Sequence, residues 1–248
     1  IYQVSVSLGG KTWQADPQAG YWDIPDALED GTHAIVVSYT DKAGNSSSTT
    51  YSFVVDTQVL SPGLALLDDT GSNVTDNLTC VTAPRFEITA AETLVAVNAT
   101  LNGVTTAVTP EDGRWIFTAE TLADGSYTLQ VELIDIAGNR SVEVLTFTVD
   151  TQIPVPVIDM QDASDSGMSA TDNITNQPQP LFVISNVPED VDSVRVEING
   201  TSYQATFDGV QWTVQPNSLP DGEHTATVTV RDKAGNQAES SVSLVVDT

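Results

Sequence analysis

Apolar and polar residues alternate with a period of two along most of the chain. In one stretch Ile35, Val37 and Tyr39 are separated by polar or variable positions, and the same alternation returns twice further along. The matching apolar residues of those later stretches are Leu129, Val131, Leu133, Ala226, Val228 and Val230. This pattern predicts β-strands with one buried face and one solvated face. Because no segment shows a sustained helical period, the fold class is predicted to be all-β.

Turn and core signals fit the same prediction. Asn-Gly pairs at residues 102–103 and 199–200 are typical of two-residue hairpins, since both residues of a type I′ turn need a positive φ. Single tryptophans, Trp22, Trp115 and Trp212, recur at matching positions. We expect each of them to fill the core of its own domain.

Three short motifs recur along the chain in one register. They are Asp-x-Ala-Gly-Asn at residues 41–45, 135–139 and 232–236, Val-Asp-Thr at 55–57, 149–151 and 246–248, and Asp-Gly at 30–31, 124–125 and 221–222. Successive copies of all three are separated by 94 and then 97 residues. The chain is therefore a tandem array with a period of about 95 residues.

The period sets the expected domain organisation. Residues 58–151 and 152–248 are each a complete unit, whereas residues 1–57 match only the C-terminal half of one; we call them the second, third and first repeat. About seven short strands per unit, with frequent turn signals, predict an immunoglobulin-like β-sandwich. Strands of about 8–10 residues span roughly 30 Å, so tandem sandwiches are expected to form an extended rod on the order of 100 Å long.

Charge narrows the expected partners. The chain has 34 acidic and 8 basic residues, which gives a formal net charge of −26. Nucleic acids and anionic membranes need clustered Lys and Arg, so neither is an expected partner. No signal peptide or membrane-length apolar run is recognisable, and insertion into a membrane is not expected. Two explanations of the acids stay open: they keep a secreted protein soluble, or they bind divalent cations.

Cysteine content bears on the source of stability. Cys80 is the sole cysteine, so no disulfide forms within the chain, and core packing or bound metal must stabilise the domains. We expect Cys80 to be a small buried residue rather than a nucleophile.

An acidic, glycine-containing loop lies near the start of each complete repeat. In the second repeat Asp69 and Asp76 are seven residues apart, and Asp165 and Asp172 repeat this spacing in the third. Carboxylates gathered on one short loop repel each other unless a cation lies between them, and Ca²⁺ takes six to eight oxygen ligands in flexible geometry. Solvated acids are the alternative explanation.

Sandwich geometry predicts where the acidic groups meet. The acidic loop is expected at the C-terminal pole, beside the Val-Asp-Thr linker, and the Asp-x-Ala-Gly-Asn loop at the opposite pole, beside the linker from the preceding repeat. We hypothesise one or more Ca²⁺ ions at each junction. The candidate ligands are Asp56, Asp68, Asp69, Asp76, Asp135, Asp150, Asp162, Asp165, Asp172, Asp232 and Asp247. For Asp-x-Ala-Gly-Asn a second reading stays open, in which Asp and Asn cap their own turn.

These motifs resemble the bacterial Ig-like repeats of giant non-fimbrial adhesins that are secreted by type I systems. The resemblance rests on the Val-Asp-Thr linker, the Asp-x-Ala-Gly-Asn turn and the acidic loop with its Asp-Asn-Ile/Leu-Thr end. It implies a secreted or cell-surface rod with a role in virulence, which contacts host-cell glycans or glycoproteins. Its partners would be calcium ions and neighbouring repeats of the same chain, and the chain would be a monomer. The second repeat departs from the pattern at Leu78 and Cys80, and it lacks an acid equivalent to Asp162.

Catalysis is not expected. The two histidines, His33 and His224, occupy one repeat position that Tyr127 fills in the second repeat, which argues against a catalytic base or a zinc ligand. The sequence has no glycine-rich phosphate loop and no nucleophile motif.

A glycan- or receptor-binding module is the alternative to a stalk segment. Trp13, Tyr21 and Trp22 lie close together in the first repeat and are weak candidates for carbohydrate stacking. The two complete repeats are nearly equal in length, which favours the stalk.

Overall fold

The computed structural model describes residues 3–16, 18–19, 21–24 and 27–248. Over these residues the regular structure consists of β-strands in five sheets, which confirms the all-β prediction. Within the same ranges no helix is both long and apolar enough to cross a membrane.

The chain forms two compact units. One unit contains residues 1–62, 90–97 and 132–142, and the other contains residues 63–89, 98–131 and 143–248. The repeat boundaries after Thr57 and Thr151 stay predictions.

The first repeat contributes one antiparallel sheet with the strand order β2-β1-β3-β4. Its strands are β1 (Gln3–Leu8), β2 (Lys11–Ala15), β3 (Gly31–Thr40) and β4 (Ser46–Val55). Val6 and Leu8 are buried on β1, as the alternation predicts.

The second repeat has two sheets, with the strand orders β10-β11-β7-β5 and β6-β13-β12-β8-β9. Its strands are β5 (Gly63–Leu66), β6 (Leu78–Thr79), β7 (Arg85–Thr89), β8 (Leu94–Leu101), β9 (Val104–Val108), β10 (Pro110–Glu111), β11 (Arg114–Thr118), β12 (Gly125–Asp135) and β13 (Arg140–Val149). Phe86 of the smaller sheet packs edge-on against Phe147 of the larger one, with ring centroids 4.8 Å apart.

The third repeat has the same arrangement, with the strand orders β14-β16-β20-β19 and β15-β22-β21-β17-β18. Its strands are β14 (Val157–Met160), β15 (Ile174–Thr175), β16 (Phe182–Ser185), β17 (Val191–Ile198), β18 (Thr201–Gln204), β19 (Thr206–Phe207), β20 (Trp212–Val214), β21 (Gly222–Asp232) and β22 (Gln237–Val246). One apolar core takes side chains from both sheets, so the repeat is a β-sandwich. The core includes Ile158, Phe182, Ile184, Val194, Val196, Ile198, Val228, Val230 and Leu244.

The prediction that single tryptophans fill the cores is wrong. Trp22, Trp115 and Trp212 are only half-buried, whereas Phe86 and Phe182 are fully buried. Trp212 begins strand β20 and packs against the outside of the third core. Tryptophan is so large that it is rarely buried completely, even where it packs against a core.

The hairpin prediction is confirmed at both Asn-Gly pairs. Asn102 and Gly103 have φ angles of 52° and 77°, and Asn199 and Gly200 have 51° and 76°. These pairs join β8 to β9 and β17 to β18, and the positive φ at both positions fits the type I′ prediction.

The histidine position is a structural corner at the start of the long strand of each repeat. The Tyr127 hydroxyl donates to the carbonyl oxygen four residues back, at 2.8 Å. His33 and His224 place Nε2 at 2.8 Å from the equivalent carbonyl oxygen. An aromatic hydrogen bond of this kind resembles the tyrosine corner of Ig-like domains.

A short parallel strand brings the acidic loop to the end of each complete repeat. The strand β6 pairs in parallel with the end of β13, and β15 pairs in the same way with β22. The Asp150 N–H donates to the Thr79 carbonyl oxygen at 2.9 Å. The loop before β6 therefore lies beside the linker, as the sandwich geometry predicts.

Candidate metal centres

The threonine of Val-Asp-Thr fixes the linker. Thr151 donates its N–H and its hydroxyl to Asp124 Oδ1, at 3.0 and 2.8 Å. Thr248 makes the same two bonds to Asp221, at 3.0 and 2.8 Å, and the first repeat has the corresponding anchor. The aspartate of the recurring Asp-Gly motif thus holds the residue that directly follows the linker aspartate.

The Asp-x-Ala-Gly-Asn loops are capped turns. Asp232 accepts the Asn236 backbone N–H at 2.8 Å and the Asn236 side-chain amide at 2.9 Å. Asp135 and Asn139 make the same bonds at 2.9 and 2.8 Å. Asp135 is 2% exposed and Asp232 is 0% exposed. Because a carboxylate offers about four lone-pair sites, the capping bonds leave each aspartate able to bind a further partner.

The first junction gathers three carboxylates. Oxygens of Asp56, Glu92 and Asp135 all lie within 4.8 Å of one another. The Asn139 amide joins the linker to this group, because it donates to the Asp56 carbonyl oxygen at 3.1 Å. Glu92 is held by the Leu60 N–H, which donates to its Oε1 at 2.8 Å. We call Asp56, Glu92 and Asp135 the first triad.

The second junction repeats this arrangement. Oxygens of Asp150, Asp190 and Asp232 lie within 4.8 Å of one another and form the second triad. The Asn236 amide donates to the Asp150 carbonyl oxygen at 2.8 Å. Asp190 is positioned through its backbone, since its carbonyl oxygen accepts the Lys233 N–H at 3.0 Å.

Electrostatics keeps the buried acid of the first triad ionised. Burial alone would raise the pKa of Asp135, but hydrogen bonds from the side chain and backbone of Asn139, with further backbone bonds from Gly138 and Ala137, hold that pKa below its ordinary value. Carboxylates this close repel one another unless a cation lies between them.

The spacing of the triads suits calcium. Two oxygens that bind one Ca²⁺ at about 2.4 Å each can be at most about 4.8 Å apart. In each triad, one oxygen from each of the three carboxylates meets this limit with the other two. Calcium also prefers carboxylate and other oxygen ligands to nitrogen or sulfur. The triads therefore fit the ion that the family resemblance implies.

The acidic loop of the second repeat holds one orphaned carboxylate oxygen. Asp69 Oδ2 accepts the Asn77 N–H at 2.9 Å, while Asp69 Oδ1 is buried and has no hydrogen-bond partner among the described residues. Burial raises the pKa of Asp69, and repulsion from Asp76 adds to the rise.

The third repeat has the same feature in a more buried form. Asp165 is 5% exposed, and its Oδ2 accepts the Asn173 N–H at 3.0 Å. In the described part of the chain, Asp165 Oδ1 and Asn173 Oδ1 are both buried without a donor. Buried oxygens that lack a donor are suited to ligate a cation. This loop therefore also fits a metal ion.

Asp68 occupies a different environment from Asp69. It forms an ion pair with Arg85, whose guanidinium approaches Asp68 Oδ1 to 2.7 Å. The Arg85 hydrogen bond holds the pKa of Asp68 below its ordinary value.

The remaining candidate ligands are exposed and lie outside the two triads. Asp76 and Asp172 each accept the backbone N–H two residues further on, at 3.2 and 3.3 Å. Asp162 and Asp247 are exposed. Their role as metal ligands stays a prediction.

The aromatic candidates form a small surface group in the first repeat. Trp13 and Trp22 have ring centroids 5.5 Å apart and are half-buried. Tyr21 is 77% exposed.

Sequence reasoning missed Glu92 and Asp190. Both lie just ahead of the strand that ends in the Asn-Gly hairpin. In an antiparallel sheet the start of that strand is opposite the end of its neighbour, and Val191 pairs with Asp232. An acid in front of this strand was therefore a readable signal for a third ligand.

Comparison with known proteins identifies the repeats. The family model described as bacterial Ig-like domain matches residues 1–57, 58–151 and 152–248. No curated protein matches the chain.

Several solved structures are similar in fold. One contains the fibronectin(III)-like modules of Clostridium thermocellum CbhA, with 12% identity over 75% of this chain and 94% of that chain, at a TM-score of 0.46. Another is a Ca²⁺-stabilised adhesin with which an Antarctic bacterium binds ice, with 24% identity over 99% of this chain and 65% of that one, at a TM-score of 0.36. A third, from a 1.5-MDa bacterial ice-binding adhesin, has 20% identity over 98% and 85% of the two chains, at a TM-score of 0.39.

The matched segments cover all three repeats, and the chain belongs to the bacterial Ig-like domain family.

Proposed function

We propose that this chain is a calcium-stiffened, non-enzymatic segment of a bacterial surface adhesin, which extends adhesive domains toward host cells. Calcium ions at the triads and neighbouring repeats of the same chain would be its partners. The adhesin assignment, the secreted or cell-surface location and the host contact rest on the family and on the motif resemblance.

The observation that carries the calcium proposal is the recurrence of the triad. Each triad combines one linker aspartate with two acids of the following repeat, and the same three-part arrangement occurs at both linkers. A solvated surface would not need to place a nearly unexposed aspartate, such as Asp135 or Asp232, in each group.

The triads would join neighbouring repeats through one ion. Asp56 or Asp150 would supply the linker ligand, and the acid before the hairpin strand and the capped-turn aspartate would supply the others. A bound Ca²⁺ offsets the repulsion among the three carboxylates and restricts the linker. The cation would then favour one junction geometry over the alternatives, because it binds that geometry better.

The corner residues support a non-enzymatic function. His33 and His224 occupy the position where Tyr127 makes the same hydrogen bond. A role in holding the start of a strand explains why tyrosine can replace histidine there.

Isothermal titration with calcium tests the proposal. The chain should take up calcium at sub-millimolar concentration, and Asp135→Asn combined with Asp232→Asn should remove the uptake at the two triads, so that fewer ions bind per chain. Asp41→Asn is the matched control, because Asp41 caps the same motif in the first repeat but belongs to neither triad. No heat at millimolar calcium in the unmodified chain would refute calcium binding.

Small-angle scattering tests the stiffening separately. Profiles in calcium should fit a narrower range of junction geometries than profiles in chelator. Identical profiles in both conditions, together with calcium uptake in the titration, would leave binding intact and reject stiffening.

The aromatic group supports a second candidate function, glycan binding. Tyr21 is largely exposed, and Trp13 and Trp22 offer neighbouring ring faces, which suits stacking against sugar rings. A glycan array probed with the chain and with Tyr21→Ala tests this candidate. Signals lost in the variant would support it, and an array without signals would reject it.

A further inference from the structure

The acidic loop of the second repeat contacts the third repeat through direct hydrogen bonds. We call Thr70, Gly71 and Ser72 the loop tip. The Thr70 hydroxyl donates to the Ala234 carbonyl oxygen, and the Ser72 hydroxyl donates to Asp192 Oδ1 at 2.6 Å. All of these residues belong to one compact unit.

The two backbones approach so closely that glycine is required on both sides. A Cβ atom added to Gly71 would collide with the Lys233 carbonyl oxygen. A Cβ atom added to Gly235 would lie 2.9 Å from the Gly71 nitrogen. Both glycines also have a left-handed backbone, with φ angles of +91° and +94°.

The contact is partly buried, and its main donor is oriented. Ala234 is 0% exposed. The Thr70 oxygen accepts the Cys80 N–H at 2.9 Å, so the threonine is held from within its own loop while its proton is directed at Ala234. The loop tip therefore presents two features to the Asp-x-Ala-Gly-Asn turn. One is the fixed hydroxyl donor of Thr70, and the other is Gly71, which has no side chain to prevent the close approach.

We propose that the loop tip is a metal-independent latch that recognises the Asp-x-Ala-Gly-Asn turn of a neighbouring repeat. The third repeat has the hydroxyl part of this arrangement, since Ser166 Oγ accepts the Asn176 N–H at 2.8 Å, but its Gly167 is not left-handed. There a Cβ atom on Gly167 would meet only its own loop, with Ile174 O nearest at 3.7 Å. The latch goes beyond the proposed calcium function, because it uses hydrogen bonds and backbone packing alone.

Hydrogen exchange of the full chain in excess chelator tests the latch. In Gly71→Ala the amides of residues 69–73 and 232–237 should exchange about tenfold faster, while residues 222–231 of strand β21 stay protected. Gly138→Ala is the matched control, because Gly138 also has a φ of +91° but a Cβ there would meet nothing within 4 Å. Equal exchange of residues 232–237 in the two variants would overturn the latch.

A second pair of variants keeps the test decisive if Gly71→Ala does not fold. Thr70→Val and Ser166→Ala each remove a hydroxyl that accepts a backbone N–H within its own loop. Thr70→Val alone also loses the bond to Ala234, so it should speed exchange in residues 232–237 and Ser166→Ala should not. If neither variant changes that segment, the proposal fails. Because chelator is present throughout, this result is independent of calcium binding.

Discussion

The two junctions share one set of acids but differ in how they are otherwise held. Each has a triad, and in each an asparagine amide donates to the carbonyl oxygen of the linker aspartate, at 3.1 Å from Asn139 and at 2.8 Å from Asn236. Asp56 is exposed, whereas Asp150 is half-buried. The loop tip packs against the turn that contains Gly235, while a Cβ on Gly138 would have no neighbour within 4 Å.

The difference separates two ways of fixing a junction. The same three acidic positions form a triad at both junctions, so the sequence of each repeat and its linker is enough to build the triad. The latch needs a loop and a turn from adjacent repeats to meet. In this chain the loop tip contacts the second turn in addition to the triad, whereas residues 1–57, which match only the C-terminal half of a repeat, contain no acidic loop to contact the first turn. The predictions below test that contrast.

Removal of calcium should have the largest effect. A site that binds only the folded chain adds about 2.7 kcal/mol to the free energy of unfolding when free calcium is 100 times Kd. Thermal unfolding in calcium and in chelator measures this gain, with potassium at equal ionic strength as the control. Hydrogen exchange should show a larger loss of protection at residues 135–139 than at residues 232–236. An equal loss at both turns would remove the contrast between the junctions.

Replacing the buried turn aspartate should have the next largest effect. In Asp232→Ala the Asn236 backbone and side chain lose a charged acceptor, which should lower the free energy of unfolding by about 2 kcal/mol even in chelator. Asp41→Ala should have a smaller effect, because Asp41 is exposed. Urea unfolding of both variants measures this. Equal losses of unfolding free energy in the two variants would mean that Asp232 stabilises the fold only by capping its turn, and that its burial at the junction adds nothing.

Loosening the linker anchor should weaken one metal site specifically. Asp124→Ala removes the acceptor that holds Thr151 beside Asp150, and we expect calcium affinity at the second triad to fall about tenfold. Asp221→Ala is the control, because it removes the same bonds from Thr248, and the linker aspartate before Thr248 belongs to neither triad. Titration calorimetry compares the two. Similar affinities in both variants would show that the linker anchor does not position the triad.

The smallest expected effect is on the melting temperature when either of two adjacent aspartates is replaced by asparagine. In chelator, Asp69→Asn and Asp68→Asn should shift the melting temperature in opposite directions. The pKa of Asp69 is raised by burial and by Asp76, so its charge destabilises the metal-free fold above that pKa. Asp69→Asn should raise the melting temperature in chelator by about 2 °C and lower it in calcium. Differential scanning calorimetry in both conditions measures the crossover.

Asp68 is the control for that crossover. Arg85 lowers its pKa, so its contribution to stability is present above its ordinary value of 3.8 and is lost as the pH falls below that value. Asp68→Asn should therefore lower the melting temperature with and without calcium. If Asp69→Asn and Asp68→Asn shift the melting temperature in the same direction in chelator, the Asp69 assignment is wrong.

Local sequence patterns predicted much of the fold and part of the site. The alternation marks the buried faces of β12 and β21, and the Asn-Gly pairs set hairpins because few residues adopt two successive positive φ angles. Asp135 and Asp232, which were chosen from the motif Asp-x-Ala-Gly-Asn, both lie in the triads, and their role as metal ligands stays a prediction.

The rest depended on packing between distant segments. Glu92 and Asp190 enter the triads through the register of neighbouring strands, and the pairing of Asp68 with Arg85 joins the loop after β5 to strand β7. The contact of the loop tip could not be predicted from local sequence patterns either. The need for glycine at Gly71 comes partly from a carbonyl group in another repeat, which no local motif specifies.

The most direct test of the central claim is a crystal structure of the chain grown in calcium, with anomalous data to locate the ions. The account predicts an ion in each triad, with carboxylate oxygens of Asp56, Glu92 and Asp135, or of Asp150, Asp190 and Asp232, at about 2.3–2.6 Å. Triads without anomalous density in crystals saturated with calcium would contradict it.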